Sequence, residues 1–342
     1  MIPVKEGYTY SPTLVYVPVN SKTPITVQTK GAENQVTKTV SAGDESVAAG
    51  DEVQYTVTVQ YPYISANYTN PTFKITDTLT KATFLIDDAA HKVAVNGVES
   101  DNYIISDSNG TATLTIDFVK YDPSKAGDTI TITYWVKVAG DVSSENPLEN
   151  KVTSELKLTP DGESTKTEYK VVSTPVKVVI EKFDADNNSK LLPGATFELY
   201  KGSTTDYVEG TSVPVATKIT GEDGRLTFDG LDAQENYYIV ETVAPDGYKV
   251  DKTPIQLERP DNYNNPTKTT TPPSEVNGVR TITTTYTFND FGSNGIHRVA
   301  NTTLSALPET GGIGTTIFTI GGCIIMIAAA GLFFASRRKS SK

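Results

Sequence analysis

The chain is poor in cysteine. Its single one, Cys323, lies inside an uncharged run near the C-terminus, so the preceding 300 or so residues can form no disulfide. A chain of this kind, if exported, needs another way to resist force and proteolysis. It has two histidines, His91 and His297, far apart in sequence and without a cysteine nearby, which excludes a recognisable His/Cys metal site. Asp184, Asp186 and Asn188 begin like a calcium loop, but the Gly and the distal Glu of that motif are missing, so they read as a hairpin turn. No phosphate-binding glycine loop, Ser-His-Asp set or carboxylate pair stands out, and neither cofactor nor metal is expected. Lys and Arg number 30 against 41 acids, for a net charge of −11, which argues against nucleic acid and anionic membrane surfaces as partners. The first thirty residues lack a basic stretch followed by an apolar one, so no export signal is read there.

The chain has instead 18 tyrosines, abundant threonine and period-2 alternation, the composition of an all-β protein. Its far end is the most specific stretch. Leu307-Pro308-Glu309-Thr310-Gly311 precedes an uncharged run from Ile313 to Ala335, long enough to span a bilayer core of roughly 30 Å as a helix. Ser336-Arg337-Arg338-Lys339 follows, and such a basic tail stays on the cytoplasmic side. The pentapeptide then faces outward. This tripartite end resembles the wall-sorting signal of Gram-positive surface proteins. The resemblance implies that a sortase transpeptidase cuts between Thr310 and Gly311 and passes the Thr carbonyl to an amine. Export without a leader in this chain implies that Met1 is not the natural start. Tyr8 to Val19 reads as one β segment with no domain around it, the remnant of a preceding N-terminal domain (1–33).

Two β units follow. The first (34–174) alternates at Val53-Tyr55-Val57-Val59, Phe73-Ile75, Leu114-Ile116-Phe118 and Ile130 to Val138, with turns at Asn96-Gly97, Asn109-Gly110 and Pro160-Asp161-Gly162. The second (175–303) has strands at Val176–Phe183, Thr196–Tyr200, Val215–Ile219, Arg225–Phe228, Tyr237–Val243 and Thr281–Phe288. The Pro/Asn/Thr-rich stretch from Glu258 to Val279 reads as a solvated loop. Short strands with turns between them predict β-sandwiches. Residues 304–342 tether and carry the sorting signal.

Some polar residues stand on apolar faces. Lys38 shares a face with Val36 and Val40, Asp77 with Phe73, Ile75 and Leu79, and Asn150 with Leu148 and Val152. Lys182 shares one with Val176, Val178 and Ile180, Glu241 with Tyr237, Ile239 and Val243, and Asn301 with Val299. A single such lysine reads as a strand-end side chain reaching water. Two Lys–acid–Asn sets in the same chain order point elsewhere, because buried charge is costly unless paired or neutralised. An apolar site lowers a lysine pKa and raises that of a neighbouring acid, so the proton can pass between them. The neutral amine can then attack the Asn carboxamide, assisted by the protonated acid, with loss of ammonia.

The second unit resembles a CnaB-type domain of Gram-positive pilins and adhesins. The likeness rests on Lys182 in VVIEKFDAD, on LLPGATFELY (Leu191–Tyr200) and on YYIVETVAPDGY (Tyr237–Tyr248), similar to the pilin E box around Glu241. The first resembles the CnaA-like middle domain of shaft pilins, through Lys38 in TKTVS, Gly50-Asp51 before VQYTVTV, Asp77 in ITDTL and Asn150 in ENKV. The resemblance implies tandem immunoglobulin-like sandwiches plus a transmembrane sorting helix. It implies isopeptide bonds Lys38–Asn150 and Lys182–Asn301, with Asp77 and Glu241 as catalysts, in a structural pilus subunit that is no turnover enzyme. Implied partners are pilin-type and housekeeping sortases, identical subunits, peptidoglycan, minor pilins and host surface molecules. In shaft pilins a lysine shortly before the middle domain accepts the next subunit's Thr. Lys30 stands in that place on the polar face of Ile25 to Lys30, although Gln28-Thr29 precede it where the family has Tyr-Pro. The other reading is an adhesin anchored singly to the wall.

Overall fold

The computed structural model describes residues 8–10, 31–33, 35–65, 68–86, 89–107, 113–304, 325–327 and 329. It is an all-β protein. Two short strands come first, β1 (Tyr8–Tyr10) and β2 (Gly31–Glu33), paired with each other. Next are β3 (Val36–Val40), β4 (Glu52–Gln60), β5 (Thr72–Thr80), β6 (Ala82–Leu85), β7 (Ala94–Asn96), β8 (Ile104–Asp107), β9 (Thr113–Phe118), β10 (Thr129–Val138), β11 (Leu148–Lys157) and β12 (Ser164–Ser173). A second series comprises β13 (Val176–Asp184), β14 (Asn187–Leu191), β15 (Thr196–Lys201), β16 (Ala216–Ile219), β17 (Arg225–Leu231), β18 (Tyr237–Val243), β19 (Ile255–Gln256), β20 (Thr267–Thr270), β21 (Ser274–Val276), β22 (Val279–Thr287) and β23 (Ile296–Asn301).

The long strands form because β-branched and aromatic residues recur at every second position, and a strand turns alternate side chains to opposite faces. In β4 every second residue from Val53 to Val59 is buried, and in β11 from Leu148 to Leu156. In the first sandwich one sheet runs β3-β4-β10-β6, with β7 also on β10. The facing sheet contains β12-β11-β5-β9-β8. In the second, β14-β13-β17, with β23 on β13, faces β16-β15-β18-β19. Fully buried Tyr55, Ile130, Ile132 and Val152 fill the first interior, and Val178, Ile180, Phe197 and Ile239 the second.

The turn at Asn96-Gly97 is needed for its backbone. Gly97 has φ +100°, and a Cβ there would meet Thr129 O at 2.6 Å, so only glycine lets the turn approach β10 this closely. Asp184 closes a turn by accepting from Asp186 N–H at 2.9 Å, as expected for that segment.

The Thr-rich stretch departs from the expectation of a solvated loop. Part of it is β20 and β21, and β22 is not a closing strand of its own unit. β22 pairs in parallel with β12, from Lys166↔Val279 to Ser173↔Tyr286, and so extends the first sandwich's sheet to eight strands. Thr284 hydrogen-bonds the Tyr169 hydroxyl across that seam at 2.7 Å. Further contacts join the two units. Ala233 N–H donates to Ser46 Oγ at 3.0 Å, and Ser144 Oγ donates to Asp229 at 2.9 Å.

Candidate functional site

Both triads assemble, and all six residues are 3% exposed or less. In the first, β3 brings Lys38 from one sheet. β5 and β11, neighbours in the other sheet, bring Asp77 and Asn150, with Val152 opposite Asp77 and Asn150 opposite Leu79. Lys38 crosses the interior. Its Nζ donates to Asp77 Oδ2 at 2.5 Å and also to Asn150 Oδ1. Burial holds the Lys38 amine down at about 8, against an ordinary 10.5, the Asp77 charge opposing only in part. Burial likewise pushes Asp77 above the usual carboxylate range. Asp77 Oδ1 is buried with no hydrogen-bond partner among the described residues, a poor setting for a full negative charge.

In the second triad the arrangement differs. Lys182 and Asn301 lie on adjacent parallel strands, β13 and β23, where Lys182 pairs with Val299 and Asp184 with Asn301. Glu241 enters from β18 in the facing sheet. Lys182 Nζ donates to Asn301 Oδ1 at 2.7 Å and lies 3.1 Å from Glu241 Oε1. Asn301 Nδ2 donates to the same Glu241 oxygen at 3.0 Å. The other Glu241 oxygen accepts from Asp251 N–H at 2.9 Å. Burial lowers the Lys182 amine from its ordinary value. In both sites an amine is poised at an amide and held by a carboxyl, and in the second that carboxyl also accepts from the amide.

The sequence reading missed Tyr134. Its hydroxyl donates to Asp77 Oδ2 at 2.7 Å and receives Asn150 Nδ2 at 3.0 Å, so it joins acid to amide. It stands on the same β10 stripe as Ile130, Ile132 and Val136, where a tyrosine looks like core. The usable signal was a hydroxyl fully inside such a stripe, since a buried Tyr O–H needs a partner. Phe197 was missed similarly. Its ring lies 5.4 Å from Lys182 Nζ and makes that pocket apolar.

A pH prediction follows for Asn150→Ala, in which Lys38 keeps a free amine. Its pKa is about 8 folded and 10.5 unfolded, so between those values only the unfolded chain binds the proton. Stability therefore rises with pH from 8 to 10.5, by about 3 kcal/mol in all. Denaturant titrations at both ends of this window would measure it. The double variant Lys38→Met/Asn150→Ala should lack the rise.

Lys30 and Leu307 to Gly311 lie outside the described residues, as does most of the 313–335 run. Among the described residues no helix is long and apolar enough to cross a membrane.

Comparison with known proteins gives two family matches. The SpaA prealbumin-like fold domain matches residues 176–272, and the LPXTG cell wall anchor motif matches residues 300–342. No curated protein sequence matches significantly. Among solved structures, the T6 backbone pilin of serotype M6 Streptococcus pyogenes aligns with a TM-score of 0.55 and 17% identity, over 88% of this chain and 78% of that one. The full-length major pilin SpaD of Corynebacterium diphtheriae aligns with a TM-score of 0.50 and 21% identity, over 88% and 77%. The chain thus has the fold of Gram-positive major pilins and carries a cell-wall anchor motif, which makes it a wall-anchored surface protein.

Proposed function

We propose that this chain is a structural subunit of a covalently polymerised surface pilus, stiffened by two internal isopeptide bonds. The observation that carries the reading is the pair of buried Lys–acid–Asn triads, placed in tandem just upstream of a sorting signal. The proposed units are 34–174 and 175–303, each closed by its own bond.

The chemistry balances within each site. Asp77 or Glu241 takes a proton from the lysine, and the neutral Nζ attacks the Asn Cγ. The protonated acid hydrogen-bonds the developing oxyanion, gives its proton to the leaving nitrogen and takes the second proton from Nζ, so the new amide is neutral and the acid ends protonated. The Nζ–Cγ bond forms, the Cγ–Nδ2 bond breaks, and ammonia departs. Tyr134, between Asp77 and Asn150, holds the amide so that Cγ faces the amine. Each step occurs once per site.

A sortase then cleaves after Thr310 and joins its carbonyl to an amine of the next subunit, for which Lys30 is the proposed acceptor. The last subunit would be passed to peptidoglycan. An immunoblot of boiled cell-wall extracts, wild type beside Lys30→Arg, tests this. A high-mass ladder that collapses to monomer in the variant is expected. A ladder in both strains moves the linkage to another lysine. A single band in wild type overturns the pilus reading in favour of a singly anchored adhesin.

A further inference from the structure

The chain leaving β23 is not free. Lys249 N–H donates to Thr302 O and Leu304 N–H donates to Gly247 O, each at 3.0 Å, with Tyr248 bridged to Thr303 between them. The loop after Glu241 therefore grips the three residues after Asn301 like a short strand partner. The grip has a side-chain support. The Tyr248 hydroxyl donates to Asp184 Oδ2 at 2.7 Å and receives Lys190 Nζ at 2.8 Å. Asp184 sits beside Asn301 in the β13–β23 register, so the loop is tied to the strand that carries Lys182.

This sets a short reach. Beyond Leu304 only Ser305 and Ala306 separate the gripped chain from Leu307, the first residue of the sorting motif. From Leu304 to Leu307 the extended chain spans at most about 10 Å. An enzyme of ordinary domain size, with a radius of gyration of about 15 Å for 150 residues, must bring its peptide groove that close to the folded unit. The end face formed by the Asp184 to Lys190 turn and the Pro245 to Lys249 loop then becomes the rim against which the enzyme docks.

We propose that the Gly247–Lys249 loop clamps residues 302–304 and so presents the sorting motif at a fixed short standoff, making the end face of the second unit part of the transpeptidase docking surface. This rests on the reading that Leu307 to Gly311 is a sortase substrate. The clamp couples the two chemistries in order. The β13–β23 pairing that brings Asn301 to Lys182 also places residues 302–304 against the loop, so closing the domain sets the reach of the motif.

The test uses the full chain, a purified wall sortase and an amine nucleophile, with cleavage after Thr310 followed by mass spectrometry. Deleting Ser305 and Ala306 should lower kcat/KM at least about tenfold, because the groove can no longer be reached without a clash. Adding Leu304→Pro to that deletion removes the N–H given to Gly247 O and frees the tether. Cleavage should then return to within about threefold of wild type, the remaining loss reflecting an imperfectly placed substrate. Leu304 is exposed, so the fold tolerates the change. If the deletion is cut as fast as wild type, or if Leu304→Pro gives no rescue, the clamp is overturned. If wild type itself is not cut after Thr310, the sorting reading falls and takes this inference with it.

Discussion

The purified wild-type protein will weigh two ammonias less than its calculated mass. Asp77→Asn and Glu241→Gln will each regain one, after allowing for the substitution itself. These changes keep shape and hydrogen-bonding atoms but remove the group that must accept the lysine proton. The same variants will melt lower. Lys38 and Asn150 are 112 residues apart in sequence, Lys182 and Asn301 119. A crosslink closing a loop of that length stabilises by about 5 kcal/mol in the chain-entropy model, because the unfolded chain is denied open conformations. At 2–4 °C per kcal/mol for chains of this size, each lost bond should cost roughly 10–20 °C in Tm. Calorimetry beside intact-mass measurement gives both numbers on one sample. A wild-type protein at full calculated mass would end the self-crosslinking account, whatever its Tm. A variant that regains the ammonia but keeps the wild-type Tm would mean that the bond constrains little of the unfolded chain.

The six residues of the two triads were legible because a strand has only two faces. Lys38 between Val36 and Val40 has nowhere to point but the side they share, and the same holds for Asp77 between Ile75 and Leu79. Alternation accounts for the burial of five of them, whereas Glu241 lies in a strand buried on both faces from Tyr237 to Glu241, with Val243 exposed. Alternation does not say which sheet a strand joins. Lys38 reaches Asn150 across a sandwich, whereas Lys182 meets Asn301 on the adjacent parallel strand. The sequence patterns around the two lysines are alike, and the difference arises from long-range pairing. β22 was misplaced for a related reason. Its threonines and isoleucine present little contrast between faces, and five residues from Val279 to Thr283 are all half-buried. Such a strand has no pattern to fix its partner, and it found the free edge of β12 in the other unit. An edge strand left open invites pairing with another molecule, so this capture also protects the first sandwich.

Stretching the protein should reveal how far the two proposed bonds bypass the fold. With handles before Val36 and after Leu304, the covalent path enters at Lys38, jumps to Asn150, runs to Lys182 and jumps to Asn301. Only the stretch from Asn150 to Lys182 can lengthen, which is about 110 Å of extended chain. That stretch contains the β11–β12 hairpin. Its open end, where Asn150 pairs with Val171, is the end that takes the load. Two neighbours hold it, β5 along β11 and β22 along β12. The hairpin should therefore yield later than an isolated one, and the second unit's strand is half of what resists. Asp77→Asn should add about 390 Å of contour length, the 112 residues that the first bond takes out of the path. A wild-type chain that pays out its full length has no bonds in the path. One that lengthens by the short step alone has given up the β11–β12 hairpin while the two crosslinked loops stay out of the path.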